Sequence, residues 1–191
     1  MFALTKHPAQ GNLSVRPVNK ATDRSLIREI FRREFYGNTK VQYPDEGLWE
    51  IYDRMDTTGA FGAYLVSERN HILFLLEVHP AVQMDLRVEF LSRPGAIGIY
   101  CFYHSSHEDT NLPAIRACIA SLFTYPSIGC ILTTLNYVAT GDTRTTLLEK
   151  SGFTRISENT DRSAVYCCTR DSFQQTAHAS IPQSEQSTVQ V

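Results

Sequence analysis

The chain has 191 residues, 42% of them apolar and 10% aromatic, enough for one compact domain with a sizeable core and too few for a second full domain. Eighteen basic residues against twenty acidic ones leave a formal charge of -2, which excludes the broad cationic surface that drives non-specific nucleic-acid binding. The longest apolar runs are too short to cross a bilayer, so neither nucleic acid nor membrane is expected as a partner.

Leu13 to Val18 reads as a first strand. In ATDRSLIREIFRREFYG, Leu26, Ile27, Ile30 and Phe31 share one helical face, with Thr22 or Asp23 as the cap. PDEGLWEIYDRMD predicts a second, short helix through Leu48, Ile51, Tyr52 and Met55. Two strands, FGAYLVSER and HILFLLEVHP, flank Asn70 and predict an antiparallel hairpin. After a less regular stretch around RVEFL, the segment Gly95 to His104 is apolar almost throughout, as expected of a central strand covered on both faces.

NLPAIRACIASLFTY predicts a helix starting near Thr110 or Asn111, because Pro113 is best accommodated in a first turn. GCILTTLNY reads as a strand, DTRTTLLEKSG as a helix ending on a left-handed Gly152, and FTRIS and SAVYCCTR as closing strands turned through ENTD. From Asp171 the chain is polar and rich in Gln and Ser, so residues 171–191 are expected to form a flexible tail. The expected organisation is an N-terminal extension (1–12), one domain (13–170) and that tail.

The five cysteines, Cys101, Cys118, Cys130, Cys167 and Cys168, form no C-x-x-C motif and no metal-ligand spacing. A reduced, cytoplasmic protein without a metal is the expectation. Period-2 geometry points the adjacent Cys167 and Cys168 to opposite sheet faces, where both read as buried structural thiols.

This order of elements, with the junction TTLLEKSGF from Thr145 to Phe153, resembles the GNAT superfamily of acyl-CoA-dependent N-acetyltransferases from Leu13 to Arg170. Leu147 and Leu148 would anchor the helix, Gly152 reverse the chain and Phe153 enter the core. LFLLEVHP, PGAIGIYCFYH and IASLFTYPSIGCILTTL are more weakly similar to siderophore-biosynthesis acetyltransferases, which carry a Glu where Glu77 stands. Tyr100 takes the position of their His, and their later acid falls near Tyr137 and Val138.

The resemblance implies an α/β (α+β) fold: a mixed sheet of six to seven strands with flanking helices and a splayed parallel pair. It also implies acetyl-CoA or another short acyl-CoA as cosubstrate, no metal, and a small amine, hydroxylamine or peptide amine attacking directly. A homodimer stays open. Pantetheine would run along Phe102, Tyr103 and His104. The pyrophosphate would sit at Ser105, Ser106, Thr110 and Asn111, where a helix start offers N–H groups to an anion, with Asn136 on the next strand. The turn SSHEDTNLPA has no glycine and carries Glu108 and Asp109, and Leu148 stands where many GNAT enzymes have a tyrosine acid. A non-catalytic GNAT-fold protein, binding another ligand or a protein in the same cleft, is therefore the alternative.

Transfer to an amine needs a base for the nucleophile and a donor to the carbonyl oxygen. Glu77 is the base candidate, since a carboxylate inside an apolar strand needs a reason to be there; an ion pair near a sheet end is the plainer one. Period-2 counting places it with Leu73, Leu75 and His79. Tyr100 and His104 share a strand face with Phe102 and are the proton-exchange candidates, against ordinary packing roles. His79, before Pro80, reads as a loop histidine. The acidic residues Asp45, Glu46, Glu50, Asp53 and Asp56 either attract a cationic amine or form a solvated face.

Overall fold

A computed structural model describes residues 12–36, 62–81, 84, 93–103, 108–135, 143–158 and 164–179. The elements are β1 (Leu13–Pro17), α1 (Lys20–Tyr36), β2 (Gly62–Glu68), β3 (His71–Pro80), β4 (Ala96–Tyr103) and α2 (Glu108–Phe123). Then follow β5 (Cys130–Leu135), α3 (Thr143–Lys150), β6 (Thr154–Glu158), β7 (Ala164–Thr169) and α4 (Arg170–Ala179). The strands form one seven-stranded sheet in the order β1-β2-β3-β4-β5-β7-β6, with β4 at its centre. The expected short helix over PDEGLWEIYDRMD and the turn ENTD lie outside the described residues, as do residues 1–11 and 180–191.

β4 and β5 run parallel and pair only through Ala96↔Cys130, Ile97↔Ile131 and Gly98↔Leu132. β4 continues to Tyr103 against β3, and β5 continues to Leu135 against β7, so the two strands part beyond Gly98. This is the expected splayed parallel pair, a fork that opens in the middle of the sheet.

The sheet's two faces carry separate cores. On one, Phe74, Leu76, Val78, Ile97 and Ile99 pack with Ile115, Ile119 and Leu122 of α2, and with Leu147, Leu148 and Phe153. On the other, Leu65 and Leu75 lie beneath Ile27, Ile30 and Phe31, the α1 face expected from its spacing. Beside them, Cys130, Leu132, Val165 and Cys167 are covered by Ala81 and Met84. Cys167 and Cys168 therefore do point into opposite cores.

The hairpin turns at Arg69 and Asn70, with φ of 48° and 68°. Positive φ at both central residues suits the right-handed twist of the strands that such a two-residue turn joins. The period-2 expectation fails once: the β2–β3 register shifts between Val66 and Ser67, leaving Leu73 without a partner. Leu73 consequently packs with Phe74, not on the face of Leu75, Glu77 and His79.

Helix α1 starts earlier than expected, and Asn19 is its cap. Its Oδ1 accepts the Ala21 N–H at 3.0 Å, while Asp23 Oδ2 reaches back to accept the Asn19 N–H at 2.8 Å. Arg16 donates to both carboxylate oxygens of Asp23 at 2.6 and 2.7 Å, tying β1 to the helix start. These donors, Arg16 first, hold the Asp23 carboxyl below the ordinary carboxylate range although burial opposes them. A lowered carboxylate pKa contributes stability above the unfolded-state value, and that stability is lost as pH falls through the folded-state value. Asp23→Ala should cost about 1–2 kcal/mol at neutral pH, discounted because Arg16 is half exposed. It should also flatten the acid limb of a plot of melting temperature against pH; an unchanged limb would remove Asp23 from the account.

Helix α2 begins at Glu108, so Pro113 lies inside the helix and not in its first turn. Its missing N–H leaves the Asp109 carbonyl without that helical donor. At the end of α3 the expected reversal is present: Phe153 N–H donates to Leu148 O and Gly152 N–H to Glu149 O, both at 3.0 Å, with Gly152 at φ 89°.

The polar segment after Arg170 departs most from expectation. Instead of a tail starting at Asp171, Arg170–Ala179 is helical. Its start is a reciprocal capping box: Ser172 N–H donates to Thr169 Oγ1 at 3.1 Å, and Thr169 N–H to Ser172 Oγ at 2.9 Å.

Candidate active site

The fork places β3 and β4 residues at its mouth. Glu77 pairs in register with Tyr100, two positions past Gly98, the last β4 residue paired with β5. Directly opposed residues of an antiparallel pair share a sheet face, so Glu77, His79, Tyr100 and Phe102 lie on the side covered by α1. Phe102 packs edge-on against Phe31 of α1 with ring centroids 5.0 Å apart, and Tyr100 lies tilted against Phe102 at 6.2 Å. Met84 closes the same face over Gly98, where a Cβ would fall 1.9 Å from the methionine sulfur.

Glu77 is 2% exposed and His79 5% exposed. Oε2 of Glu77 lies 3.3 Å from Nε2 of His79, while Oε1 has no hydrogen-bond partner among the described residues. Burial pushes the Glu77 carboxyl above its ordinary range, and the neighbouring His79 imidazole draws it part of the way back. Tyr100 meets the His79 ring edge-on at 5.2 Å. A buried carboxylate, an imidazole and a phenol thus meet beside the fork, and a carboxylate of raised pKa is the more ready to accept a proton.

His79 is the residue that the sequence reading placed wrongly. It is buried inside β3, because Pro80 can end the strand there, opposite Ile97, without supplying an N–H. The signal was present, since His79 lies two residues from Glu77 in an alternating strand. Of the expected cosubstrate residues, Phe102 and Tyr103 are half-buried at the end of β4, with Tyr103 packed 5.9 Å from Phe74 on the opposite face. Thr110 and Asn111 lie at the start of α2, the first half-buried and the second 1% exposed. His104, Ser105, Ser106 and Asn136 lie outside the described residues, as do Tyr137 and Val138. Leu148 is buried in the main core, so the position where the resemblance leads one to expect a tyrosine acid is occupied by packing.

The residues present suit an acyl-CoA in two respects. A fork opens beyond Gly98, and the α2 N-terminus follows the end of β4 after residues 104–107. Among the described residues, no group of three or more His, Cys, Asp or Glu side chains could hold a metal ion. No described helix is long and apolar enough to cross a membrane.

No family model matches the sequence, and no curated protein matches it. Solved structures do match. An uncharacterized protein from Bacillus halodurans superposes with a TM-score of 0.69 at 14% identity, over 86% of this chain and 87% of that one. The aminoglycoside acetyltransferase AAC(6')-Ib in complex with coenzyme A superposes with a TM-score of 0.66 at 19% identity, over 86% and 99%. A spermidine N-acetyltransferase SpeG chimera from Vibrio cholerae and hSSAT gives 0.62 at 12% identity, again over 86% and 99%. At these identities the likeness is one of fold, and the chain has the GNAT fold.

Proposed function

We propose that this chain is an acyl-CoA-dependent N-acetyltransferase acting on a small amine, in which Glu77 is the general base. The observation that carries the reading is the buried Glu77 carboxylate beside the fork, with one oxygen lacking a partner among the described residues. Burying such a group costs several kcal/mol by order of magnitude, which a protein retains where chemistry uses it. The fold supports the acyl-CoA, since similar structures hold coenzyme A or acetyl-CoA. It also supports a primary amine acceptor, because those proteins act on aminoglycosides or spermidine.

In this reading the acyl thioester is the electrophile, lying along β4 with its pyrophosphate toward Thr110 and Asn111. Glu77 takes a proton from the acceptor ammonium, the freed neutral amine attacks the thioester, and His79 orients the carboxylate. Tyr100 donates a hydrogen bond at the reacting centre. His104, Ser105, Ser106 and Asn136 complete the expected cosubstrate contacts. Hydroxylamines and peptide amines are the other acceptor classes the reading admits, in a cytoplasmic setting.

The test is a melting and calorimetric titration with acetyl-CoA, followed by thiol-release assays on spermidine, kanamycin and a simple hydroxylamine. A ligand at about a hundred times its Kd stabilises the native state by about 2.7 kcal/mol, which a melting scan resolves. Neither heat nor a melting shift at millimolar acetyl-CoA would end the enzyme reading. Binding without turnover on any amine would favour the non-catalytic alternative, for which the buried Leu148 speaks.

A further inference from the structure

On the Met84-covered face, at the closed end of the fork, two thiols and a cation meet without any part in acetyl transfer. Cys130 opens β5, and Cys167 lies diagonally across on β7, opposite Leu132. Both are buried, at 5% and 2% exposure. The two thiols share one buried cluster, and Arg93 Nη1 donates to Cys167 Sγ at 3.3 Å.

Arg93 is held in place by its own turn. Ala96 N–H donates to Arg93 O at 3.2 Å, around Pro94 and a Gly95 with φ 66°, as a type II turn requires. That turn is pinned to the start of β5, because Gly129 N–H donates to Gly95 O at 3.0 Å. A Cβ on Gly95 would fall 2.3 Å from Ser127 O, and one on Gly129 2.4 Å from Pro94 O, so both glycines are needed for this approach. Arg93 itself is half-buried, which leaves the sulfur one side chain away from solvent.

We propose that Cys130 and Cys167 form a peroxide-reactive dithiol site, with Cys167 the attacking thiolate, Cys130 the resolving thiol and Arg93 the cation holding the charge. Cys167 attacks one oxygen of hydrogen peroxide, the O–O bond breaks, and a sulfenic acid and hydroxide form. The Cys130 sulfur then attacks the sulfenic sulfur, the S–S bond forms, and the hydroxyl leaves as water with the Cys130 proton. The asymmetry between the thiols agrees with these roles. The neighbouring Cys130 thiol and Arg93 lower the Cys167 pKa, whereas Cys167 and burial raise that of Cys130. Cys118 and Cys168 are pushed up to about 12 by burial and stay inert thiols. The site is thus an exception to the structural role expected of Cys167.

The test treats the full chain, natively folded, with hydrogen peroxide, blocks free thiols and maps peptides without reduction. A Cys130–Cys167 linked peptide is expected. In untreated protein at pH 7, iodoacetamide should label Cys167 at least about ten-fold faster than Cys118. The labelling midpoint of Cys167 should lie below that of Cys118 and rise in Arg93→Gln. Cys130→Ala should halt oxidation at a sulfenic acid that dimedone traps; should that variant not fold, the Arg93→Gln comparison decides alone. No linked peptide, with Cys167 labelled no faster than Cys118, would overturn the proposal.

Discussion

Glu77→Gln is expected to lower kcat by about a hundred-fold or more while leaving acetyl-CoA affinity nearly unchanged. The substitution keeps the shape of the side chain and removes only its capacity to take a proton. Misfolding would not explain such a loss. Because burial raises the Glu77 pKa, the folded state holds this proton more tightly than the unfolded chain. Its contribution to stability is therefore present below the unfolded-state pKa and is lost as pH rises through the folded-state value. Glutamine has no charge to bury, so the variant should melt no lower than the parent at neutral pH. In the parent, activity should rise with pH along a limb lying above the ordinary carboxylate range. His79→Gln removes the group that draws the Glu77 pKa down, so it should move that limb to higher pH and lower the rate less than Glu77→Gln does. Equal rates for parent and Glu77→Gln would exclude Glu77 as the base.

Features with a local chemical cause were legible before the structure. The reversal at Gly152 follows from a helix that needs its last carbonyls bonded and a chain that must turn, and Leu148 to Phe153 contains every residue of that solution. The hairpin at Asn70 and the two-faced burial of β4 are of the same kind. Features set by pairing across the sheet were not. The bulge at Leu73 depends on how β2 and β3 align, which neither strand's own alternation encodes. The Cys130–Cys167 contact is likewise a diagonal neighbour relation between strands distant in the chain, and the arginine that charges it arrives from a third element.

The candidate site was legible in part. Glu77 was visible because charge in an apolar run is costly, and Tyr100 because it alternates with Phe102. The fork itself could be expected only from the resemblance; the ladder ending at Gly98↔Leu132 is a tertiary fact. Helix α4 shows composition misleading in the other direction. Its residues bury little apolar surface, yet Thr169, Asp171 and Ser172 spell a helix start. The weak intrinsic preference is settled by what the first turn grips.

Ending the chain after Thr169 should lower stability by at least about 3 kcal/mol, a large share of the 5–15 kcal/mol usual for a domain. Arg170 donates from Nη1 to Phe123 O and from Nη2 to Tyr125 O at 2.6 Å, serving carbonyls at and just past the end of α2. Its guanidinium also lies 5.2 Å from the Phe123 ring centre, and Phe173 packs on that ring at 5.9 Å. Charged hydrogen bonds of this kind contribute about 1.5–3 kcal/mol, and the half-buried Phe173 ring adds about half of what full burial of an aromatic contributes. Ser172 Oγ donates to Gly152 O at 2.7 Å, and a Cβ at Gly152 would stand 2.9 Å from Phe173 Cα, so the helix also braces the α3 reversal. Phe173→Ala should therefore lose only part of what truncation loses, and urea unfolding of both proteins separates packing from the arginine clamp. Truncation should also reach the candidate site. The chain from Phe123 and Tyr125 leads directly to Gly129, whose bond to Gly95 fixes where β4 and β5 begin to run together before parting. If the truncated protein keeps both its melting temperature and its acetyl-CoA affinity, α4 is no brace for the fork.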